Sequence, residues 1–329
     1  MLSLAPDYPS QLADALHTQF ASQWRVEIDQ QHIRVRPHRA ASNPRPPRRS
    51  PNPAHLVATM ARTFDDNGIP ADGLLPVWWG RDTDLTISAV QALDPWLKDG
   101  VNRVWREGFL PQPVVRFTGE RDSDGRLRDG YLTSFVNLSC VQRISGTHHH
   151  AQLIDIWISA LSAIGIHAGR LTISGDLTVW HRGPVSGITL FFSCDGNVFA
   201  DAVLLWHTAR PEYLATDIGS GAERLAWILS KVSWAETVFG PTAALWGVDL
   251  VDAVRTATLL VMAGIRPGAT GPGSALRRVL RPVPATMAAA GLGRIVRAQR
   301  TYWTAIGMTG PGWPAIATAL EDEVLSAEH

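Results

Sequence analysis

The chain has 329 residues, of which 45% are hydrophobic and 18% are charged, which is enough for two globular domains or one large domain with an appendage. Lysine plus arginine equals aspartate plus glutamate at 30 residues each, so the chain lacks the basic excess typical of nucleic-acid-binding proteins. This composition does not indicate a disordered chain, and it argues against nucleic acid as the default partner.

Cysteine content and apolar runs suggest the compartment. Cys140 and Cys194 are the only cysteines, too few for a disulfide framework or for a zinc site with four thiolates. No apolar run approaches the roughly 20 residues that span a bilayer, and the first residues lack the charged and apolar regions of a signal peptide. We therefore expect a cytoplasmic protein.

The N-terminal part predicts a helix followed by a hairpin. Apolar residues recur at helical spacing from Tyr8 to Trp24, and residues 24–36 then alternate with period two about a polar centre. From Pro37 to Pro53 the chain is rich in Pro, Arg, Ser and Asn, which predicts an extended linker containing Arg45, Arg48 and Arg49. Together these segments form a first region over residues 1–54.

The middle part, residues 55–234, mixes strands with helices. The connections vary in length and lack a regular alternation of strand and helix, which favours an antiparallel sheet flanked by helices and an α+β fold. The predicted strands are Pro113 to Phe117, Leu132 to Cys140, Gly187 to Phe192 and Phe199 to Trp206. The predicted helices lie near His55 to Phe64, Asp84 to Leu97 and Ala151 to Ile164.

The last part, residues 235–329, predicts helices alone. Alanine, leucine and arginine recur at helical spacing, and Gly-Pro pairs interrupt the pattern. We expect a separate helical domain.

One segment carries most of the chemical information. Residues 217–226 read Asp-Ile-Gly-Ser-Gly-Ala-Glu-Arg-Leu-Ala, so two close glycines precede a Glu-Arg pair that opens an apolar helical run. Gly219 and Gly221 allow the backbone to approach a ligand, and Arg224 offers a planar fork for a phosphate or carboxylate. Asp217 can pair with an ammonium group. The segment predicts a site for ATP and an amino acid.

Other reactive patterns are weak. His148, His149 and His150 are consecutive, and consecutive side chains do not usually face one ion, so we interpret them as a surface cluster at a helix start rather than a metal site. Nothing in the sequence resembles the nucleophile elbow of a Ser-His-Asp hydrolase.

In its ordered motifs the sequence resembles the class II aminoacyl-tRNA synthetases, and among them the alanyl-tRNA synthetases. The resemblance implies the antiparallel catalytic sheet of that class, followed by the family's helical tRNA-binding domain. The segments that carry it are 74–76 (Leu-Leu-Pro, similar to the end of motif 1), 113–122 and 133–138 (motif 2), 180–184 (Trp-His-Arg-Gly-Pro), 217–224 (motif 3), and 252–255, 264–267 and 273–278 in the helical part.

Activating a carboxylate with ATP brings two anions together, so guanidinium groups must neutralise the α-phosphate as charge develops. The resemblance implies that Arg116 contacts the α-phosphate and the substrate carboxylate, and that Arg224 lies on the γ-phosphate side. It also implies that Phe135 lies under the adenine ring and that Arg121 reaches the triphosphate. Mg²⁺ is expected to accompany ATP, because it bridges phosphate oxygens while keeping most of its waters.

The same resemblance implies a site for a small amino acid. Asp217 would hold the α-amino group, with Gly219 beside it and Trp180 as a wall of a small side-chain pocket. Val203 and His207 are placed at the same site, although His207 stands where the family has an asparagine. Alanine is the expected amino acid on this basis, and glycine or serine would fit a similar pocket.

The departures from the family fall on the tRNA side. Ala269 stands at the position of the asparagine with which alanyl-tRNA synthetases read the acceptor-stem G·U pair, and an alanine side chain cannot donate or accept at a base edge. The first 55 residues do not resemble the family's start, and the chain shows no segment similar to its editing or C-terminal domain.

Three functions stay open. In the first, the acyl group passes to a non-tRNA acceptor, such as a nucleoside-like small molecule of specialised metabolism. In the second, the chain charges a tRNA or a minihelix-like RNA through altered contacts, with Arg277, Arg278 and Arg281 touching phosphates. In the third, it is a non-catalytic paralogue. The first is the preferred hypothesis.

Overall fold

The computed structural model describes residues 6–38, 52–230 and 232–326. Residues 39–51, which hold most of the predicted linker with Arg45, Arg48 and Arg49, lie outside the described residues. In the part of the chain that is described, one nine-stranded antiparallel sheet combines with twelve α-helices, so the α+β prediction is confirmed.

The strands are β1 (Trp24–Asp29), β2 (His32–Pro37), β3 (Gly108–Val115), β4 (Ser134–Arg143), β5 (Leu171–Asp176), β6 (Trp180–Arg182), β7 (Val185–Cys194), β8 (Asn197–His207) and β9 (Arg210–Gly221). Their order across the sheet is β1-β2-β5-β7-β8-β9-β4-β3, with β6 paired to β7. The N-terminal hairpin therefore extends the main sheet, because β2 pairs with β5.

The helices are α1 (Tyr8–Phe20), α2 (Pro53–Asp66), α3 (Asp94–Leu97), α4 (Thr147–Ala163), α5 (Ala222–Leu229), α6 (Trp234–Phe239), α7 (Thr242–Trp246), α8 (Val248–Met262), α9 (Gly271–Leu280), α10 (Ala285–Ala290), α11 (Leu292–Ala305) and α12 (Trp313–Ser326). Short 3-10 helices cover Ala89–Leu93 and Ala168–Arg170. Past β9, every regular element in the described residues is a helix, as predicted for residues 235–329.

The predicted helix at Asp84 to Leu97 forms only in its second half. Ser88 accepts from the amide of Val90, and the Gln91 side chain reaches back to the Ser88 amide, which is a capping box that starts the helix at Ala89. The residues before Ser88 instead bond to an earlier segment of the chain, since the amide of Thr86 donates to the carbonyl of Val77.

The two faces of the sheet are covered differently. On one face α4 packs over β8 and β9, and α1 and α2 pack against α4 near the edge strands β1 and β3. His150, predicted in a surface cluster, is instead buried here, and its ring meets the Thr216 hydroxyl at 2.7 Å. On the other face the 3-10 helix at residues 89–93 and α3 cover only part of the sheet, with a small apolar cluster that includes Leu93, Leu205 and Ala215. The uncovered part of this second face forms a pocket.

The helical region is attached at the start of β4. Thr133, just before β4, donates its amide to both carboxylate oxygens of buried Asp252 on α8, at 3.1 and 3.2 Å. The large hydrophobic core continues from the sheet and α4 into α8, α11 and α12. None of the helices in the described residues is long and apolar enough to cross a bilayer.

Candidate functional site

A pocket of about 320 Å³ opens on the partly uncovered face of the sheet. Most of its lining comes from four segments: the loop between β3 and β4, β4 itself, the β7–β8 hairpin, and β9 with the start of α5. Ser88 and Trp234 complete it. Six of the residues predicted at the ligand site meet here, namely Arg116, Phe135, Asp217, Gly219, Gly221 and Arg224.

Strand alternation explains why these residues share a face. Successive side chains of a strand point to opposite faces, so Phe135, Asn137 and Ser139 of β4 lie on one side of the sheet. The register places Ser139 opposite Gly219 of β9, Gly219 opposite Asp201 of β8, and Asp201 opposite Phe191 of β7. These four residues form one row across the pocket floor.

A second row runs beside the first and carries the predicted amino-acid site. It joins Val141, Asp217, Val203 and Thr189, which are cross-strand partners in that order. Trp180 lies at the end of this row and donates from its indole Nε1 to the Thr189 hydroxyl at 3.0 Å. Val203 and Trp180 both pack against the small apolar cluster, so they lie beside the pocket without lining it.

The two pocket arginines are each fixed over an aromatic ring. The Arg116 guanidinium lies 5.2 Å from the centre of the Phe135 ring, and its Nε donates to the carbonyl of Ile87. The Arg224 guanidinium lies 5.0 Å from the centre of the Tyr131 ring, and its Nε donates to the carbonyl of Gly130 at 2.9 Å. Neither arginine forms an ion pair among the described residues, so both can bind an anion in the pocket.

Two carboxyl groups face these arginines. Burial, followed by the charge of Asp201, raises the pKa of Asp217 to about 7, against the opposing effects of a hydrogen bond from Ser139 and the charge of Arg116. The pocket walls also raise the pKa of Asp201 by displacing water, against the charges of Arg116 and Arg224, although part of this side chain stays open to solvent. The pocket thus combines two cations with two carboxyl groups whose pKa values are raised.

The two glycines have different physical roles. A Cβ on Gly219 would lie 2.3 Å from the Ser139 hydroxyl and 2.8 Å from the carbonyl oxygen of Leu138, so the close approach of β4 requires glycine here. A Cβ on Gly221 would lie 3.6 Å from the Phe135 ring, which is an ordinary contact. Gly221 leaves open space beside that ring, whereas Gly219 serves the packing of the sheet.

Two predicted site residues lie away from the pocket. Arg121 donates to the carboxylate of Asp249 at 3.2 Å and to the carbonyl of Gly125 at 2.7 Å, on the exposed loop after β3. His207 lies at the far end of β8, where its Nδ1 accepts from the amide of Ala209. Neither lines the pocket.

Sequence reasoning missed several polar residues of the pocket. Asn137 accepts the amide of Ala89 at 2.9 Å and donates to Ser139 at 3.0 Å, so it links the 3-10 helix to the pocket floor. Asp201 and Tyr131 were also missed. Period-two spacing contained the signal, since Asn137 and Ser139 follow Phe135 at steps of two, and Asp201 precedes Val203 by two.

Comparison with protein-family models and with curated proteins finds no match to this chain. The site is therefore interpreted from its own geometry. Among the described residues, no group of three or more His, Cys, Asp or Glu side chains could hold a metal ion. The arrangement can bind a flat ring next to Phe135, anionic groups at Arg116 and Arg224, and a cationic group at Asp217.

Proposed function

We propose that this protein activates a small amino acid, alanine first among them, with Mg·ATP to form an aminoacyl adenylate and then transfers the acyl group to a non-tRNA acceptor. Its sheet would be the catalytic sheet of an alanyl-type class II synthetase. The observation that carries the proposal is the convergence of Arg116 and Phe135, from the β3–β4 hairpin, with Asp217 and Arg224, from β9 and α5, in one pocket.

The first step needs the two cations. A carboxylate oxygen of the amino acid attacks the α-phosphorus, the bond to the bridging oxygen breaks, and pyrophosphate leaves with that electron pair. Arg116 would neutralise the reacting carboxylate and α-phosphate, and Arg224 the leaving pyrophosphate. The adenine ring would stack next to Phe135, in the space that Gly221 leaves open. Mg²⁺ would arrive on the phosphates of ATP and needs few protein ligands.

Asp217 would hold the α-ammonium of the amino acid. The neighbouring residue in its row is Val203, and Trp180 with Thr189 closes the row beyond it. Since this side of Asp217 is already filled by packed side chains, a small substrate side chain fits better than a large one.

The acceptor assignment depends on the helical region. Ala269 is exposed and offers only a methyl group where the resembling family reads a base pair, which favours an acceptor other than a tRNA with that pair. One observation supports the RNA alternative. The exposed guanidinium of Arg278 on α9 lies 3.7 Å from the centre of the Phe117 ring, directly after Arg116, where a phosphate could approach it.

Amino-acid-dependent exchange of labelled pyrophosphate into ATP tests the adenylation step. We expect exchange with alanine, glycine or serine and little with leucine or phenylalanine. No exchange with any small amino acid would contradict both enzymatic functions. Where exchange occurs, charging of total tRNA with labelled alanine decides between acceptors, and robust charging would replace the non-tRNA assignment with the RNA alternative.

A further inference from the structure

The pocket has an end that adenylate formation does not use. Its nucleotide end consists of Phe135 and Arg224, next to the loop that leads from β3 to β4. The opposite end is formed by the β7–β8 hairpin, which contributes Phe191, Val198 and Asp201 to the lining. With ATP at the first end and the amino acid at Asp217, the β7–β8 end is the remaining wall.

This end presents apolar surface to solvent inside a polar pocket. Phe191 is 43% exposed and Val198 is 59% exposed, which makes them two of the few large apolar side chains that stay accessible in the described residues. Leaving a phenylalanine ring in water is unfavourable, and a flat partner stacked on it would bury that surface.

A carboxyl group lies directly beside the exposed ring. Asp201 and Phe191 are cross-strand partners on the same face, so their Cβ atoms are neighbours. On its other side Asp201 is partnered with Gly219, which has no side chain. A group stacked on Phe191 therefore meets Asp201 first, and then the space in front of Asp217 where the acyl carbonyl would lie.

We propose, on the basis of the function proposed above, that Phe191, Val198 and Asp201 form the acceptor subsite, and that it takes a planar ring carrying a primary amine. The ring stacks on Phe191 and contacts Val198. The amine lies at Asp201, next to the activated carbonyl. This assigns a chemical class to the acceptor and a role to three residues that adenylation leaves unused.

The transfer step forms an amide and releases AMP. The amine arrives as an ammonium ion, and Asp201 takes one proton from it. The free nitrogen lone pair attacks the carbonyl carbon, and the bond from that carbon to the phosphate oxygen breaks, so AMP leaves with the electron pair. The second nitrogen proton is lost to water, and the product is an amide.

The test compares two nucleophiles of different shape. Benzylamine carries a ring and hydroxylamine does not, and both yield measurable alanyl products from the adenylate. The readout is the ratio of benzylamide to hydroxamate formed by the same enzyme, because this ratio cancels differences in adenylation between variants. We expect Phe191→Ala to lower the ratio roughly 10-fold and Phe191→Trp to restore it, since a stacking surface is what changes.

Phe117→Ala is the matched control, because Phe117 is 40% exposed yet lies outside the pocket lining. It should leave the ratio unchanged.

Asp201→Asn should lower benzylamide formation more than hydroxamate formation, because hydroxylamine is already largely unprotonated at neutral pH. An unchanged ratio in Phe191→Ala, or an equal fall in Phe117→Ala, would overturn the subsite while leaving adenylation intact. Absence of pyrophosphate exchange in the wild type would instead overturn the proposed function and the subsite with it.

Discussion

Glu223 and Arg255 form an ion pair that is almost completely buried, with 4% and 1% of their side chains exposed. Glu223 opens α5, next to the pocket residue Arg224, and Arg255 lies in the middle of α8. The pair thus joins the helix that carries a pocket arginine to the helical region.

Further hydrogen bonds complete this buried network. Both oxygens of Glu223 accept the amide of Val136 on β4, at 3.3 and 3.2 Å, and Oε1 also accepts the Tyr302 hydroxyl at 2.6 Å. Arg255 donates to Gln299 at 3.0 Å and to the carbonyl of Ser134 at 3.1 Å. A charge moved from water into the low-dielectric interior needs such partners, so the network holds β4, α5, α8 and α11 in one geometry.

Removing one partner of this ion pair should strongly destabilise the folded protein. Arg255→Met leaves the Glu223 carboxylate buried without its cation, and we expect a loss of about 3–5 kcal/mol in the free energy of unfolding. Tyr302→Phe removes only one hydrogen bond to the carboxylate and should cost about 1.5–3 kcal/mol. Urea denaturation followed by tryptophan fluorescence measures both.

Arg277 and Glu323 supply a surface control for this experiment. Their atoms approach to 2.9 Å, but the arginine side chain is 51% exposed. Water screens such a pair, so Arg277→Met should change stability by less than about 1 kcal/mol. Equal losses of stability in Arg255→Met and Arg277→Met would show that the buried network contributes no more to the free energy of unfolding than the surface pair does.

The pocket arginines should affect the rate of adenylation. Arg116→Ala and Arg224→Ala should each slow amino-acid-dependent pyrophosphate exchange by at least about 10²-fold, because each removes a cation from developing negative charge. Arg121→Ala should cost less than about 10-fold, because Arg121 is held by Asp249 outside the pocket lining. Exchange rates at saturating ATP, with folding checked by circular dichroism, separate these outcomes; near wild-type rates in either pocket variant would remove its assigned role.

Much of the sheet follows from alternation of apolar residues along the chain. The predicted strand at Leu132 to Cys140 overlaps β4, and Phe199 to Trp206 lies within β8. Strand β9 was not predicted, because its last five residues, 217–221, include two glycines, an aspartate and a serine, which obscure the apolar alternation. Its strand conformation depends on hydrogen bonds to β4 and β8, which are distant in sequence.

The site could be predicted where a residue type carries its own chemistry. Arg116, Arg224 and Asp217 were selected for their charge and Phe135 through the resemblance to the synthetases, and all four line the pocket. Arg121 and His207 carried the same kinds of group, but their positions depend on loop geometry and on how far β8 runs past the pocket. Sequence alone contains neither the loop geometry nor the length of β8. Phe191 was not selected because strand register was unknown, whereas Asp201 was overlooked although it lies two residues before Val203 on the same strand.

The raised pKa of Asp217 should make stability depend on pH. Its ordinary pKa is 3.8 and its folded pKa is about 7, so between these values the folded state binds a proton that the unfolded state has lost. The contribution of this group to stability therefore falls as the pH rises from about 4 to about 7. Asp217→Asn should be stabilised relative to the wild type at pH 8 and much less so at pH 4, as measured by denaturation at both pH values.

The affinity for the amino acid should change with pH in the opposite direction to stability. An ammonium group pairs with the ionised carboxylate, so affinity should rise up to about 10-fold per pH unit below pH 7 and level off above it. Asp217→Asn should bind weakly and with little pH dependence. The Michaelis constant for alanine in the exchange reaction between pH 5.5 and 8.5 reports this, and a flat wild-type profile would count against the ammonium role.

The two glycines at the pocket provide a matched pair of substitutions. Gly219→Ala places a methyl group 2.8 Å from the backbone carbonyl of Leu138, which cannot rotate away, so β4 and β9 must separate. We expect a loss of about 1–3 kcal/mol in stability, as for overpacking of a core.

Gly221→Ala meets only the Phe135 ring at 3.6 Å, so stability should stay nearly unchanged. The same methyl group narrows the space beside that ring, and the Michaelis constant for ATP should therefore rise. Thermal unfolding and exchange kinetics on both variants check the contrast, and a Gly219→Ala protein as stable as Gly221→Ala would show that the strands can move apart at little cost.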